Sequence, residues 1–341
     1  MKAARFHELN KPLKIEDLPV PSLEPNEVLV KTKACGICHT DLHFLDGKFS
    51  AGGKPPFVLG HEPAGVVEKV GEAVTTWKAG DRVIPYRFHT CGECYACRTG
   101  DEEVCYKPKG LLGFTCDGGF AEYFKWPGTH LLTLPDAVSF REAGPLACSG
   151  HSTYHAVNKR AGLTLGQTAL INGCGGLGLT ALQFAKLAGA TVYVTDIDDK
   201  KLEKAKELGA DGAYNPKKQD VAAEMKKLTE GLGVHVVIDF VGSPQTTELG
   251  LNSLRRLGKL ILLGVGHEVI PKATPGFLLS GEYEILGCRS SNRQELKETV
   301  ELVATGRVKP IVTKTFKLDE VNEGLEMLKR GEIIGRSCVE F

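Results

Sequence analysis

Thr168-Ala-Leu-Ile-Asn-Gly-Cys-Gly-Gly-Leu-Gly-Leu-Thr-Ala-Leu-Gln-Phe-Ala-Lys-Leu187 is the stretch that decides the fold. It opens with a short apolar strand ending at Ile171. It then passes through Gly173-x-Gly175-Gly176-Leu177-Gly178 and continues as a helix-compatible run from Leu179. Glycines at these spacings allow a tight turn, close approach of backbone to a pyrophosphate, and close helix–sheet packing, with the phosphate at the helix N-terminus. Alone, the glycine run could be a bare turn. The next strand, Thr191-Val-Tyr-Val194, leads to Asp196, about where an acid takes a ribose hydroxyl pair. Working outward, Val234 to Ile238 and Lys259 to Leu263 read as further strands, and Lys200 to Leu208 and Val221 to Leu228 as helices. Such alternation predicts a doubly wound parallel sheet.

Upstream the texture differs. Short alternating runs, Glu27 to Lys33 and Ala64 to Val70, are punctuated by Pro19-Val-Pro21, Gly52-Gly53, Pro55-Pro56 and Gly118-Gly119, which predicts a β-rich, irregular domain. The change comes near Cys148. After Gly287 the pattern gives a helix around Glu295 to Ala304, a strand at Val312 to Phe316, a helix around Val321 to Leu328, and a strand-like tail from Ile334 to Phe341. That tail is expected to rejoin the first domain. No internal repeat, heptad or low-complexity tract is evident.

The 341 residues suffice for two domains, and 42% hydrophobic with 25% charged residues is ordinary for a globular chain. A formal net charge of zero argues against nucleic acid or an anionic membrane as partner. No signal peptide or bilayer-length apolar run is visible. The eleven cysteines are therefore expected as reduced ligands rather than bridges, in the cytoplasm.

Two sets of potential ligands stand out. Cys91, Cys94, Cys97 and Cys105 follow C-x2-C-x2-C-x7-C, which can wrap four thiolates around one tetrahedral Zn²⁺ and leave no open position. An iron–sulfur site or a redox-active pair is the alternative. The neighbouring Glu93, Asp101, Glu102 and Glu103 oppose a phosphate-facing surface. The second set, Cys38, His61, Glu62 and Cys148, is scattered. Two thiolates and an imidazole would suit a catalytic zinc with one position open. Spacing equally allows a buried structural thiol or a surface histidine at each position.

Gly36-Ile-Cys-His-Thr-Asp-Leu-His43, Gly60-His-Glu-Pro-Ala-Gly-Val-Val67, the four-cysteine loop, Pro145-Leu-Ala-Cys148 and the glycine run together resemble the zinc-dependent medium-chain alcohol dehydrogenases, over the whole chain. The resemblance implies a GroES-like catalytic domain over 1–148, rejoined by 292–341, and a Rossmann NAD-binding domain over 149–291. It implies an oxidoreductase with two zinc ions and NAD, acting on a small primary or secondary alcohol or its aldehyde or ketone, as a homo-oligomer and by precedent a homotetramer. Polyol or threonine dehydrogenases of the same fold, a zinc-free quinone reductase, or a non-catalytic NAD-binding sensor are the alternatives.

Catalytic zinc would then sit on Cys38, His61 and Cys148 with Glu62 beside it, and structural zinc on Cys91, Cys94, Cys97 and Cys105. Cys35 is excluded although it mimics a C-x2-C pair with Cys38. Thr40 would bond the alcohol oxygen, Asp41 would sit behind His61, and His43 would end the proton path. His39 and Arg336 would reach the cofactor pyrophosphate, Leu177 the nicotinamide, and Asp196 with Lys201 the adenosine ribose. Cys116, Cys174, Cys288 and Cys338 would fill packing positions. Phe49 and Tyr86 stand in the substrate pocket where yeast-like members commonly carry tryptophan, which implies room for longer or aromatic alcohols. His151 is unusual for the family.

Overall fold

The computed structural model describes residues 1–49, 51–266, 270 and 272–341. They form two compact units, Met1–His151 with Ser291–Phe341, and Ser152–Ser290.

In the second unit, six strands lie in the order Gly212–Tyr214, Thr191–Thr195, Thr168–Asn172, Val234–Asp239, Leu254–Leu262 and Glu284–Gly287, every neighbouring pair parallel. Ala169, Leu170, Ile171 and Asn172 are all fully buried, as expected of a central strand covered on both faces. The sheet grows in one direction from Thr168–Asn172 and then in the other, so the glycine turn stands at the topological switch point where such sheets bind ligands. Gly173 adopts φ +92°, and a Cβ on Gly178 would collide with the Gly173 carbonyl, so neither position accepts a side chain easily. The helix Gly176–Leu187 begins at Gly175 without a side-chain cap, which leaves its first amides for a ligand.

The helices Asp199–Glu207 and Val221–Leu228 start where the Asp198 and Asp220 carboxylates accept from Lys200 N and Ala223 N. The strands Gly212–Tyr214 and Glu284–Gly287 and the helices Pro244–Ser253 and Pro275–Gly281 are absent from the sequence expectation. The two strands are short edges with little full burial, so their apolar signal is weak. The Pro244–Ser253 helix did carry a start signal, Ser243 as cap with Pro244 in the first turn.

In the first unit the long strand Glu27–Ile37 pairs with Pro63–Val70, Tyr123–Pro127 and the last strand, Arg336–Glu340. The antiparallel register Ser337 to Ile37 and Val339 to Cys35 brings the C-terminal strand beside the segment entering Cys38. Phe6, Phe44, Phe57, Phe114 and Phe120 fill one core of this unit, and Val28, Val30, Val67, Phe124 and Trp126 a second. The helix Phe140–Pro145 passes into a π-turn over Leu146–Gly150, which carries Cys148. Proline inside a helix removes a backbone donor, and π-turns are frequent at functional sites. No described helix is long and apolar enough to cross a membrane.

Candidate metal centres and cofactor site

Cys38 ends the long strand's excursion and caps the short helix His39–Leu45. Asp41, in that helix's first turn, uses one carboxylate for two ligands. Its Oδ2 accepts from Cys38 N at 3.0 Å and its Oδ1 meets His61 Nδ1 at 2.9 Å. With Nδ1–H donated to Asp41, the neutral His61 ring would present its lone pair at Nε2, and this nitrogen is buried without a hydrogen-bond partner. The Sγ atoms of Cys38 and Cys148, a nitrogen of His61 and a carboxylate oxygen of Glu62 lie within 4.8 Å of one another, all four residues buried.

The electrostatics ask for a cation. Burial works to lower His61, but the Asp41 carboxylate and the Cys38 sulfur outweigh it and raise the ring to about 9. Cys38 is lowered far below the usual thiol range because Cys148 donates to it, and Cys148 is raised as its partner. A buried nitrogen that holds a proton this tightly, facing two sulfurs, is also suited to a divalent ion. Burial raises Glu62 to about 7, and Arg336 opposes that shift. The Arg336 Nη2 donates to Glu62 Oε1 at 2.6 Å and to Oε2 at 2.5 Å, so Arg336 is buried against this carboxylate, while its Nε has no partner.

The loop cysteines form the second set. The Cys94–Cys97 and Cys105–Cys91 sulfurs are 3.5 Å apart, the Cys91–Cys97 and Cys94–Cys105 sulfurs 3.9 Å, and none is in a disulfide. Four sulfurs ~2.3 Å from one tetrahedral ion would be about 3.8 Å apart. The fit is close. Backbone amides of Cys97 and Tyr106 pull Cys94 down to about 6, while burial pushes Cys97 up to about 12. The acids expected on this lobe's surface are only partly there. Glu102 and Glu103 are buried, and Glu102 receives Arg293 N at 2.7 Å and Arg293 Nε at 3.0 Å, which ties the loop to the helix Arg293–Ala304.

Thr40 is half-buried with Oγ1 3.6 Å from Cys38 Sγ. His43 follows one turn later on the same helix, half-buried, and the exposed His39 ring lies 6.4 Å from it. Phe49 packs edge-on to Phe114, centroids 5.4 Å apart, and Phe114 in turn lies 4.8 Å from the His61 ring. Tyr86 is fully buried and donates its hydroxyl to Ser291 O at 2.8 Å. His151 is buried in the same network, 2.6 Å from Ser291 Oγ and 2.8 Å from Ala147 O. Cys35 is buried outside both ligand sets, as are Cys174 and Cys338.

In the second unit Asp196 follows its strand, accepting from Cys174 N at 2.8 Å and Asp198 N at 2.9 Å. The glycine turn thus fixes the acid, and each carboxylate oxygen keeps lone pairs for a ligand. Gly175, Gly176 and Leu177, at the turn, and Lys201, in the next helix, are half-buried. One residue near the metal set escaped sequence reading. Arg87 directs Nη1 to Cys148 Sγ at 2.6 Å.

Residues 24–136 match the family model described as alcohol dehydrogenase GroES-like domain, and residues 176–305 that described as zinc-binding dehydrogenase. The chain is 40% identical to an alcohol dehydrogenase of Geobacillus stearothermophilus, over 98% of each chain. It is 38% identical to an NAD-dependent alcohol dehydrogenase of Sulfurisphaera tokodaii, over 99% of each. It superposes with a TM-score of 0.93 and 39% identity on the alcohol dehydrogenase of Aeropyrum pernix, over 100% of both chains.

Proposed function

The chain belongs to the zinc-type medium-chain alcohol dehydrogenase family, and from that premise we propose which of its residues carry the reaction. It is an NAD-dependent oxidoreductase that interconverts an alcohol with its aldehyde or ketone. The observation that carries the residue assignment is the buried Nε2 of His61, which makes no hydrogen bond, grouped with Cys38, Cys148 and Glu62.

Cys38, His61 and Cys148 would hold one zinc, and Cys91, Cys94, Cys97 and Cys105 a second, two ions per chain. Bound there, the catalytic zinc supplies a Lewis acid toward the alcohol oxygen, and NAD accepts the hydride. Asp41 fixes the tautomer and aim of His61 through Nδ1 and tethers the backbone of Cys38. Thr40 Oγ1 takes the hydroxyl proton's hydrogen bond, and the His43 imidazole passes that proton to solvent. Glu62, held by Arg336, sets its carboxyl beside the ligand set. Phe49 and Tyr86 belong to the substrate side, Phe49 through Phe114 and Tyr86 as a rigid buried wall.

For the cofactor, Asp196 would accept from the adenosine ribose with Lys201 alongside. The amides of Gly175, Gly176 and Gly178 would bond the pyrophosphate, Gly173 would shape the turn with its own amide on Thr195 O at 2.8 Å, and Leu177 would support the nicotinamide. A 2′-phosphate at Asp196 would meet like charge from Asp198 and Asp199 as well. NAD is therefore expected to exceed NADP in kcat/KM by roughly a hundredfold, at about 1.4 kcal/mol per tenfold. NADH absorbance with both cofactors, before and after Asp196→Ala, tests this, and equal use of the two by the unmutated enzyme overturns the role of Asp196.

Thiols that serve as metal ligands need a reducing compartment, which supports a cytoplasmic location. The family resemblance supports a homotetramer, which sedimentation equilibrium of the zinc-loaded protein tests.

A further inference from the structure

Arg87 is an unusual neighbour for a zinc thiolate. Its guanidinium cannot shed its charge, and it has no carboxylate partner among the described residues, unlike Arg336 on Glu62, Arg293 on Glu102 and Arg82 on Asp136. Its Nε is buried with no hydrogen bond. Its recorded contacts beyond the backbone are Nη1 to Cys148 Sγ at 2.6 Å and the Phe88 ring, 5.0 Å from the guanidinium carbon. One sulfur satisfies one of five donors. Arg87 is half-buried, so part of its guanidinium stays open to a partner that could complete its hydrogen bonds.

We propose that Arg87 is a specificity-determining residue that recognises a carboxylate on the substrate, so that the site takes short hydroxy acids and their oxo-acid products in preference to plain alkanols. This rests on the reading that Cys38, His61 and Cys148 hold the catalytic zinc. A substrate oxygen on an ion held by Cys148 would come close to the guanidinium, whose Nη1 is 2.6 Å from that sulfur. A carboxylate one or two carbons beyond the carbinol can therefore meet the remaining N–H donors of Arg87, and arginine binds carboxylates as a planar fork. The reaction is otherwise unchanged. The carbinol C–H bond breaks, its hydride reduces NAD to NADH, the hydroxyl proton leaves to solvent, and the hydroxy acid becomes the oxo acid. The carboxylate also draws the charge of Arg87 away from the thiolate, so the arginine has a use in both the free and the loaded site. Tyr86, expected to shape an apolar slot, is sealed against Ser291, and its neighbour in sequence supplies the chemistry instead.

The test compares 3-hydroxypropionate with 1-propanol in the zinc-loaded enzyme, together with calorimetric binding of butyrate and butyramide in the presence of NADH. The expected kcat/KM ratio favours 3-hydroxypropionate by about tenfold or more. Arg87→Leu should lower that ratio by about ten- to a hundredfold and weaken butyrate relative to butyramide by a similar factor, the usual worth of hydrogen bonds to charged groups. Arg87→Lys should keep part of both, and it serves as the probe if the leucine variant fails to fold. A ratio at or below one in the unmutated enzyme, or a ratio unmoved by Arg87→Leu, overturns the proposal and leaves Arg87 as a partner of Cys148 alone. Absence of turnover with either alcohol points instead at the zinc assignment, and the butyrate comparison still decides the role of Arg87.

Discussion

The two sulfur clusters of this chain solve the same problem by opposite means. Cys91, Cys94, Cys97 and Cys105 come from one short loop, are half-exposed, and are oriented largely by their own backbone amides. Cys38, His61, Glu62 and Cys148 come from distant segments, are buried, and are aimed by Asp41, Arg336 and Arg87. The loop set is closed on itself with four equivalent donors, which suits a staple. The scattered set combines soft donors, an acid and two guanidinium groups, which suits a reaction. Local closure makes an ion's grip cheap to encode, whereas a reactive centre needs the whole unit folded before its ligands meet.

The largest effect that would sharpen this contrast lies beside the scattered set. Thr40→Val should lower kcat roughly 10²–10⁴-fold, the range for a lost acid–base path, with His43→Gln milder because water can stand at the end of a relay. Near-normal turnover by Thr40→Val would remove Thr40 from the proton path. Next, Asp41→Asn should weaken zinc at the catalytic set by about 10–100-fold while leaving the loop zinc in place. Competition with a chelator reads this, and equal loss from both sites would erase the distinction.

A smaller effect belongs to the loop's surroundings. His130 accepts from Thr90 N at 3.1 Å through Nε2, and burial together with Arg293 lowers it to about 3. The unfolded chain, near 6.5, binds the proton more readily, so stability is full above that value and is lost as the pH falls toward 3. Between pH 7.5 and 5.5 this amounts to about 1 kcal/mol. Reversible unfolding of the wild type and His130→Gln over that window should show a steeper slope in the former, since His89 and His235, also lowered, contribute to both, and equal slopes would contradict the burial argument.

What the sequence made legible follows the same division. The glycine turn and the loop cysteines declare themselves because turn chemistry and ligand spacing are local. The resemblance, rather than spacing, joined Cys38 to Cys148. Contacts such as Arg336 to Glu62, 274 positions apart, Arg87 to Cys148, 61 apart, and Arg293 to Glu102, 191 apart, have no periodic signature. Glu102 and Glu103 read as surface acids for that reason, although both are buried. The edge strands Gly212–Tyr214 and Glu284–Gly287 escaped because half-exposed strands of three or four residues carry little alternation.

Zinc content per chain, measured by elemental analysis on the wild type, Cys38→Ser and Cys94→Ser alongside thermal unfolding and turnover, tests the central claim most directly. The account predicts two ions in the wild type. Cys38→Ser should lose turnover with little change in thermal midpoint, and Cys94→Ser should lose the loop ion and unfold at lower temperature. A single zinc in the wild type, lost on Cys94→Ser and untouched by Cys38→Ser, would contradict it.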